Sequence, residues 1–273
     1  MLLGVVFTSD IPKEKVPAWR QLFNGKNLDG WKVKISGYDL NDNFGGTFRV
    51  RNGVMEVGYE KYDRFNHRYG HIFYNKSFSH YLVAVEYRFI GEQIKDGPGW
   101  AYRNSGIMVH CQAPGTMLRK QDFPISIEVQ LLGGNGKDPR PTANLCTPGT
   151  NVVMDGKLIT EHVVNSKSKT YHGDTWVRAE VLVLGDSVIT HMVEGDTVLR
   201  YYKPQIGAGN VDNFDPKIKT DGKLLSQGYI SLQSESHPVQ FRKVELIDLK
   251  NYAHDPRKLS GVLQLIRQNA KKR

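Results

Sequence analysis

Several scarcities in the sequence each remove a class of explanation. Only two cysteines occur in 273 residues, Cys111 and Cys146, and they lack the spacing of a zinc site, so a disulfide scaffold and a cysteine-rich metal knuckle both fall away. No run approaches the ~20 consecutive apolar residues that a membrane-spanning helix needs. A Gly-x-Ser-x-Gly elbow is missing, which leaves serine-nucleophile chemistry of that kind without support. Basic residues are in excess, for a net charge of +9, but they are scattered among acids apart from the terminal Lys271-Lys272-Arg273, and no recognised nucleic-acid motif accompanies them. Nucleic acid is therefore not an expected partner. Residues 1–7 (MLLGVVF) are apolar without a preceding basic region; taken as the remnant of a secretory signal, they make export the expected destination.

What the chain does have is strand signal almost everywhere. Runs of β-branched and aromatic residues fall at 47–50, 54–57, 81–90, 106–111, 125–132, 176–184, 188–193, 198–202, 229–233 and 239–249. Tight-turn sequences such as Arg51-Asn52-Gly53 and Glu194-Gly195-Asp196 separate several of them. Because helices do not alternate with these runs, the expected fold is all-β, a two-sheet antiparallel jelly-roll sandwich, with one short C-terminal helix capped by Ser260 and carrying Val262, Leu263, Leu265 and Ile266. The chain divides on this basis into an N-terminal segment (1–18), a jelly-roll domain (19–250) and a helical tail (251–273). Two long stretches rich in turn formers, 133–174 and 207–223, are expected to be loops walling a groove.

Side-chain alternation then sorts the strands into faces. In Ile107-Met108-Val109-His110-Cys111, period two sends Ile107, Val109 and Cys111 inward, and Asn104, Met108, His110 and Gln112 outward. The same rule turns Glu128 and Gln130 outward on 125–132, and Gln233 outward on 229–233. An outward surface of Asn, His, Glu and Gln suits a sugar, whose hydroxyls need paired donors and acceptors; it equally suits a plain solvated sheet face. Both cysteines are expected to be unpaired, Cys111 on a core strand and Cys146 in a long loop.

Six segments, in order, carry a family resemblance: LFNGKNLDGWKV (22–33), FRVRNGVMEV (48–57), NSGIMVH (104–110), IEVQLL (127–132), HMVEGDTV (191–198) and GYISLQSESHPVQFRKVEL (228–246). Together they resemble the 3-keto-disaccharide hydrolase family, over roughly residues 19–249. The chain departs from that pattern where His110 stands in place of an arginine and Glu194-Gly195 in place of Asn-Gly. The resemblance implies a concanavalin-like fold, an exported bacterial protein and a carbohydrate substrate.

It also implies a chemistry. A ketone at C3 of a glycoside acidifies the C2 proton, so a base can remove it and the C1 substituent leaves by β-elimination, after which hydration of the enone completes a net hydrolysis. That route needs a base near C2, an electrophile at the C3 oxygen and an acid for the leaving group. Glu128 and His110 are the candidates for base and acid, with Asn104, Gln130, Gln233, Glu235, His237 and Arg242 as substrate contacts. A divalent metal held by some of His110, Glu128, His162, His172 and His191 is a candidate electrophile, although His191, alternating with Ile189 and Val193, reads equally as a core histidine. An ordinary glucanase is disfavoured, since it needs two carboxylates and no second acid follows Glu128 two residues on. A non-catalytic carbohydrate-binding module is the competing function.

Overall fold

The structure is a computed structural model that describes residues 17–207 and 209–270; the apolar start, residues 1–7, lies outside them. In chain order the first strands are Arg20–Gln21 (β1), Trp31–Ile35 (β2), Phe48–Arg51 (β3), Val54–Val57 (β4), Gly70–Tyr74 (β5), His80–Phe89 (β6), Asn104–Cys111 (β7), Ile127–Leu132 (β8) and Asn144–Cys146 (β9). There follow Thr150–Met154 (β10), Lys157–Ile159 (β11), Val163–Val164 (β12), Val177–Leu184 (β13), Val188–Val193 (β14), Asp196–Ile206 (β15), Tyr229–Ser234 (β16) and Val239–Asp248 (β17), then helix Pro256–Ala270 (α1). They form two antiparallel sheets. Sheet A runs β11-β10-β15-β14-β13-β6-β17-β4-β3, with β1 also on β17, and sheet B runs β12-β9-β8-β7-β16-β5-β2.

Alternation builds the core between them. Val83, Val85, Tyr87, Val181, Val183 and Ile189 from sheet A meet Val33, Ile72, Ile107, Val109, Ile127, Val129, Leu131, Ile230 and Leu232 from sheet B, all buried. Each such aliphatic side chain contributes roughly 1.5–3 kcal/mol by leaving water, so this layer dominates the stability of the sandwich.

One expected parity fails, at β7. Between the pairs Met108↔Ser231 and Cys111↔Tyr229, β7 advances three residues while β16 advances two, and His110 takes φ 53°. That extra residue is a β-bulge, and it exchanges the faces of everything beyond it. Cys111 therefore joins Met108, Phe73, Met117 and Tyr229 on the outward side of sheet B. His110 turns toward sheet A instead, where its Nε2–H donates to the Gly185 carbonyl at 3.0 Å. Gly228 permits the bulge: a β-carbon there would lie 2.4 Å from the carbonyl carbon of His110.

The helix also differs from expectation. Asp255, not Ser260, caps it, accepting from the backbone N–H of Arg257 and of Lys258 at 3.1 Å each, and Pro256 occupies the first turn, where its missing N–H costs nothing. Ser260 lies inside the helix, with Val262 and Ile266 buried against Leu82, Leu182, Ile247 and Leu249 on the outward face of sheet A. The stretch 133–174 is less irregular than its turn formers suggest, since it carries β9 to β12; Cys146 accordingly sits in β9. Both cysteines are free and buried.

Candidate functional site

The outward face of sheet B carries a polar row crossing six strands. Cα pairing gives Asn144↔Gln130, Gln130↔Gly106, Gln233↔His71 and His71↔Lys34, and Gly106 joins the two halves of the row. The absence of a side chain at Gly106 is what makes room here. A β-carbon on it would stand 2.8 Å from Oε1 of Glu128 and 3.1 Å from Oε1 of Gln233, so both side chains fold over the bare backbone. Asn144 Nδ2 donates to Gln130 Oε1 at 3.0 Å, and its Oδ1 accepts from Ser166 N–H, which braces that end of the row. At the other end Lys34 is spent on three carbonyls, those of Ile35, Tyr38 and Arg119.

Between the braced ends the polar groups are buried without protein partners. Both ring nitrogens of His71, both amide atoms of Gln233, Oδ1 of Asn104 and Oε2 of Glu235 find no hydrogen bond among the described residues. Such atoms cost about 1–3 kcal/mol each when left unsatisfied, so a cluster of them is where bound water or a polar ligand completes the bonding.

Two carboxyls belong to this cluster. Burial pushes Glu128 up to about 8, and burial together with the charge of Glu128 pushes Glu235 well above the carboxylate range. Glu235 follows β16 directly, so the second acid that β8 lacks arrives from a different strand. Burial lowers His71 to about 3, helped by Lys34, which keeps the imidazole neutral, with one donor and one acceptor nitrogen. Cys146, paired with Glu128 across β8 and β9, is pushed well above the usual thiol range by burial and by the two acids, and has no nucleophilic character.

The site residues expected from sequence divide clearly. Asn104, Glu128, Gln130, Gln233 and Glu235 come together on this face. His237 stands beside it, its ring 5.1 Å from that of Tyr102 and 5.8 Å from that of Phe89, lowered to about 4 by burial and by Arg103 and Arg140. His110 does not belong, because the bulge sends it between the sheets; burial there lowers it to about 4. Arg242 lies on the far side of the molecule, on the outward face of sheet A, bonded to Glu86 and stacked on Trp176.

The expected metal ligands do not converge either. His191 is a core residue linking the sheets, its Nδ1–H donating to the Ala143 carbonyl at 2.8 Å and its Nε2 accepting from Tyr201 Oη–H at 2.6 Å. His162 lies beside Thr147, which donates to its carbonyl, and His172 packs over Gly134. Among the described residues no group of three or more His, Cys, Asp or Glu side chains is arranged around a common point.

His71 and Gly106 were not singled out from sequence. His71 sits in GHIFY, a run too short to stand out, while Gly106 inside a strand-like run was a usable sign of a close approach.

The comparisons agree on architecture. A Parabacteroides distasonis ATCC 8503 protein provisionally described as a glycosyl hydrolase has a crystal structure superposing with TM-score 0.50 at 16% identity, over 85% of this chain and 100% of that one. A second such protein from the same organism gives 0.50 at 20%, over 85% and 94%. A Bacillus subtilis protein of unknown function with a galectin-like fold gives 0.51 at 12%, over 86% and 97%. Identities this low establish the sandwich and nothing finer. No curated protein matches the sequence. Residues 18–247, nearly the whole sandwich, match the family model of the 3-keto-alpha-glucoside-1,2-lyase-like domain, and the chain belongs to that carbohydrate-acting family.

Proposed function

We propose that the protein cleaves 3-keto-glycosides by proton abstraction at C2, with Glu128 as base and Glu235 as acid. The observation that carries this is the buried pair of carboxyls, both raised, set among polar atoms that lack protein partners. Glu128 ionises first, at about 8, and its charge then holds the proton on Glu235. One carboxylate and one carboxylic acid is the state that elimination requires.

In the proposed step Glu128 takes the C2 proton. The C2–H electrons pass first onto the C3 oxygen as an enolate; they then return to restore C3=O and form C1=C2 as the C1–O bond breaks, and the departing oxygen takes the proton from Glu235. As charge builds on the C3 oxygen, Gln233 Nε2 and the N–H of neutral His71 are the donors placed to receive it. Water then adds across C1=C2, hydroxyl at C1 and proton at C2, which gives the free 3-keto sugar. The same unpartnered polar atoms would also serve a binding module that performs no chemistry. Incubation with a 3-keto-glycoside separates the two. Release of the aglycone with a transient enone absorbance supports the lyase; binding without release in the wild type supports the module. Repeating the incubation with chelator tests whether a metal takes part.

A further inference from the structure

On the Glu235 side of the cluster stands an aromatic wall that the proposed chemistry has not used. Trp100 is 56% exposed, an unusual state for the largest apolar side chain. Its ring stacks on that of Tyr69, with centroids 6.1 Å apart and planes at 17°. Tyr69 in turn meets Phe123 at 4.8 Å, and Phe123 meets His71 at 5.8 Å, edge to face. The wall therefore continues directly into the polar row. Tyr69 precedes Gly70, which pairs with Ser234, so Tyr69 and Glu235 flank the same pair, where β5 begins and β16 ends.

Trp100 is not a loose surface ring. It occupies the one-turn helix Gly99–Ala101, anchored by Ala101, which is fully buried. Gln93 fastens that turn, its Nε2 donating at 2.9 Å to the Pro98 carbonyl and to Oγ of Ser236. The backbone adds a bond from Ile94 N–H to the Ser236 carbonyl at 3.0 Å. Gly97 is needed for this fit, because a β-carbon on it would lie 2.7 Å from both Gln93 Nε2 and Ser236 Oγ. Ser236 adjoins Glu235, so the exposed indole and the proposed acid hang from one fastened turn.

From this geometry we infer that Trp100, held in place by the buried ring of Tyr69 behind it, is the residue that selects the leaving group, a second ring, a pyranose presenting its apolar face to the indole. The inference rests on the assignment of Glu235 as acid: a leaving group must depart on the acid's side, and that side is the aromatic one. Polar side chains fold over Gly106, and the flat apolar surface belongs to the turn that Gln93 fastens to Ser236, the residue after Glu235. A ring stacked on an aromatic face is held by dispersion and burial of its C–H surface, without sequence-specific hydrogen bonds.

The test compares a 3-keto-disaccharide with the methyl 3-keto-glucoside, for wild type, Trp100→Ala and Trp100→Phe. Trp100→Ala is expected to raise KM for the disaccharide by about tenfold, the size of a single aromatic contact, with kcat little changed, and to move the methyl glycoside much less. Trp100→Phe should recover most of the loss, which separates a stacking surface from a folding effect. An equal loss on both substrates, or none on either, overturns the subsite. If no 3-keto-glycoside is turned over at all, the chemistry proposed above is at fault. Calorimetric titration with the unoxidised disaccharide and with methyl glucoside then still decides the subsite. Weaker disaccharide binding by Trp100→Ala alone supports it, and equal binding by all three proteins, or none by the wild type, removes it.

Discussion

On the outward face of sheet A, Glu86 is held by Arg178 at 3.3 Å, Arg242 at 2.5 Å and Lys243 at 3.2 Å, while Glu56 takes Arg49 and Gln240. On the outward face of sheet B, Glu128 and Glu235 lie among an imidazole and amides, and among the described residues no cation bonds either. Burial works to raise Glu86, but the bonds from Arg242 and Lys243 outweigh it and hold that carboxyl below its ordinary value; burial alone raises Glu128 to about 8. Two faces made by the same alternation thus treat a carboxylate in opposite ways. On the proposed reading, the paired face serves the folded chain itself and the unpaired one the substrate.

The sharpest way to break this contrast is to remove the base. Glu128→Gln keeps the shape and the hydrogen-bonding reach, and the rate of 3-keto-glycoside cleavage should fall by about 10²- to 10⁴-fold with binding largely kept, whereas Glu86→Gln on the other face should leave kcat unchanged. Steady-state kinetics on the two variants makes the comparison; equal effects would erase the difference between the faces. Gly106→Ala comes next. Its methyl group meets Glu128 and Gln233 together, and the displacement should cost on the order of 10²-fold in kcat while the melting temperature moves little. A fully active Gly106→Ala would mean that neither side chain needs its present position.

Stability should follow pH in a way that the unpaired groups set. His71 at about 3, and His110, His191 and His237 at about 4, bind protons more readily in the unfolded chain, so their contribution is present above the unfolded value of about 6.5 and is lost as pH falls toward 4. Glu128 has the opposite sign. Its contribution is complete below the unfolded carboxyl value and is lost as pH rises toward 8, at a slope of up to about 1.4 kcal/mol per pH unit for one proton. Thermal melts should therefore peak near the middle of this window, about pH 6.5, and Glu128→Gln should flatten the alkaline side and steepen the acid side, where the loss from Glu128 no longer opposes the gain from the histidines. An unchanged alkaline slope in that variant would show that Glu128 titrates as an ordinary carboxyl. The smallest effect belongs to the paired face: Arg242→Ala removes a half-exposed partner of Glu86 and should cost less than about 1 kcal/mol in urea denaturation, without touching kcat.

Much of this was legible before the structure. The ten strand runs, the absence of βαβ order and the outward parity of Glu128, Gln130 and Gln233 follow from period-two alternation, which holds wherever a strand is regular. His110 escaped because one bulge residue reverses parity, and the Gly228 that allows it lies far away in sequence on the chain entering the neighbouring strand. Arg242 escaped for a related reason, since β17 shifts register between Phe241 and Lys243 and belongs to the other sheet. The pairing of Glu128 with Glu235 is tertiary information: Glu128 lies on β8 and Glu235 just past the end of β16, with β7 between the two strands, and no local pattern joins them. The cap at Asp255 was readable from the Asp-Pro pair, but the apolar spacing drew attention to Ser260.

The central claim is that Glu128 removes the C2 proton of a 3-keto-glycoside, and an isotope at that carbon tests it most directly. With substrate deuterated at C2, the wild-type protein should cleave more slowly than with the undeuterated compound and should release deuterium to solvent, and Glu128→Gln should do neither at a comparable rate. Cleavage at equal rates for both substrates with deuterium retained at C2 of the product, or deuterium release by Glu128→Gln at the wild-type rate, would contradict the account.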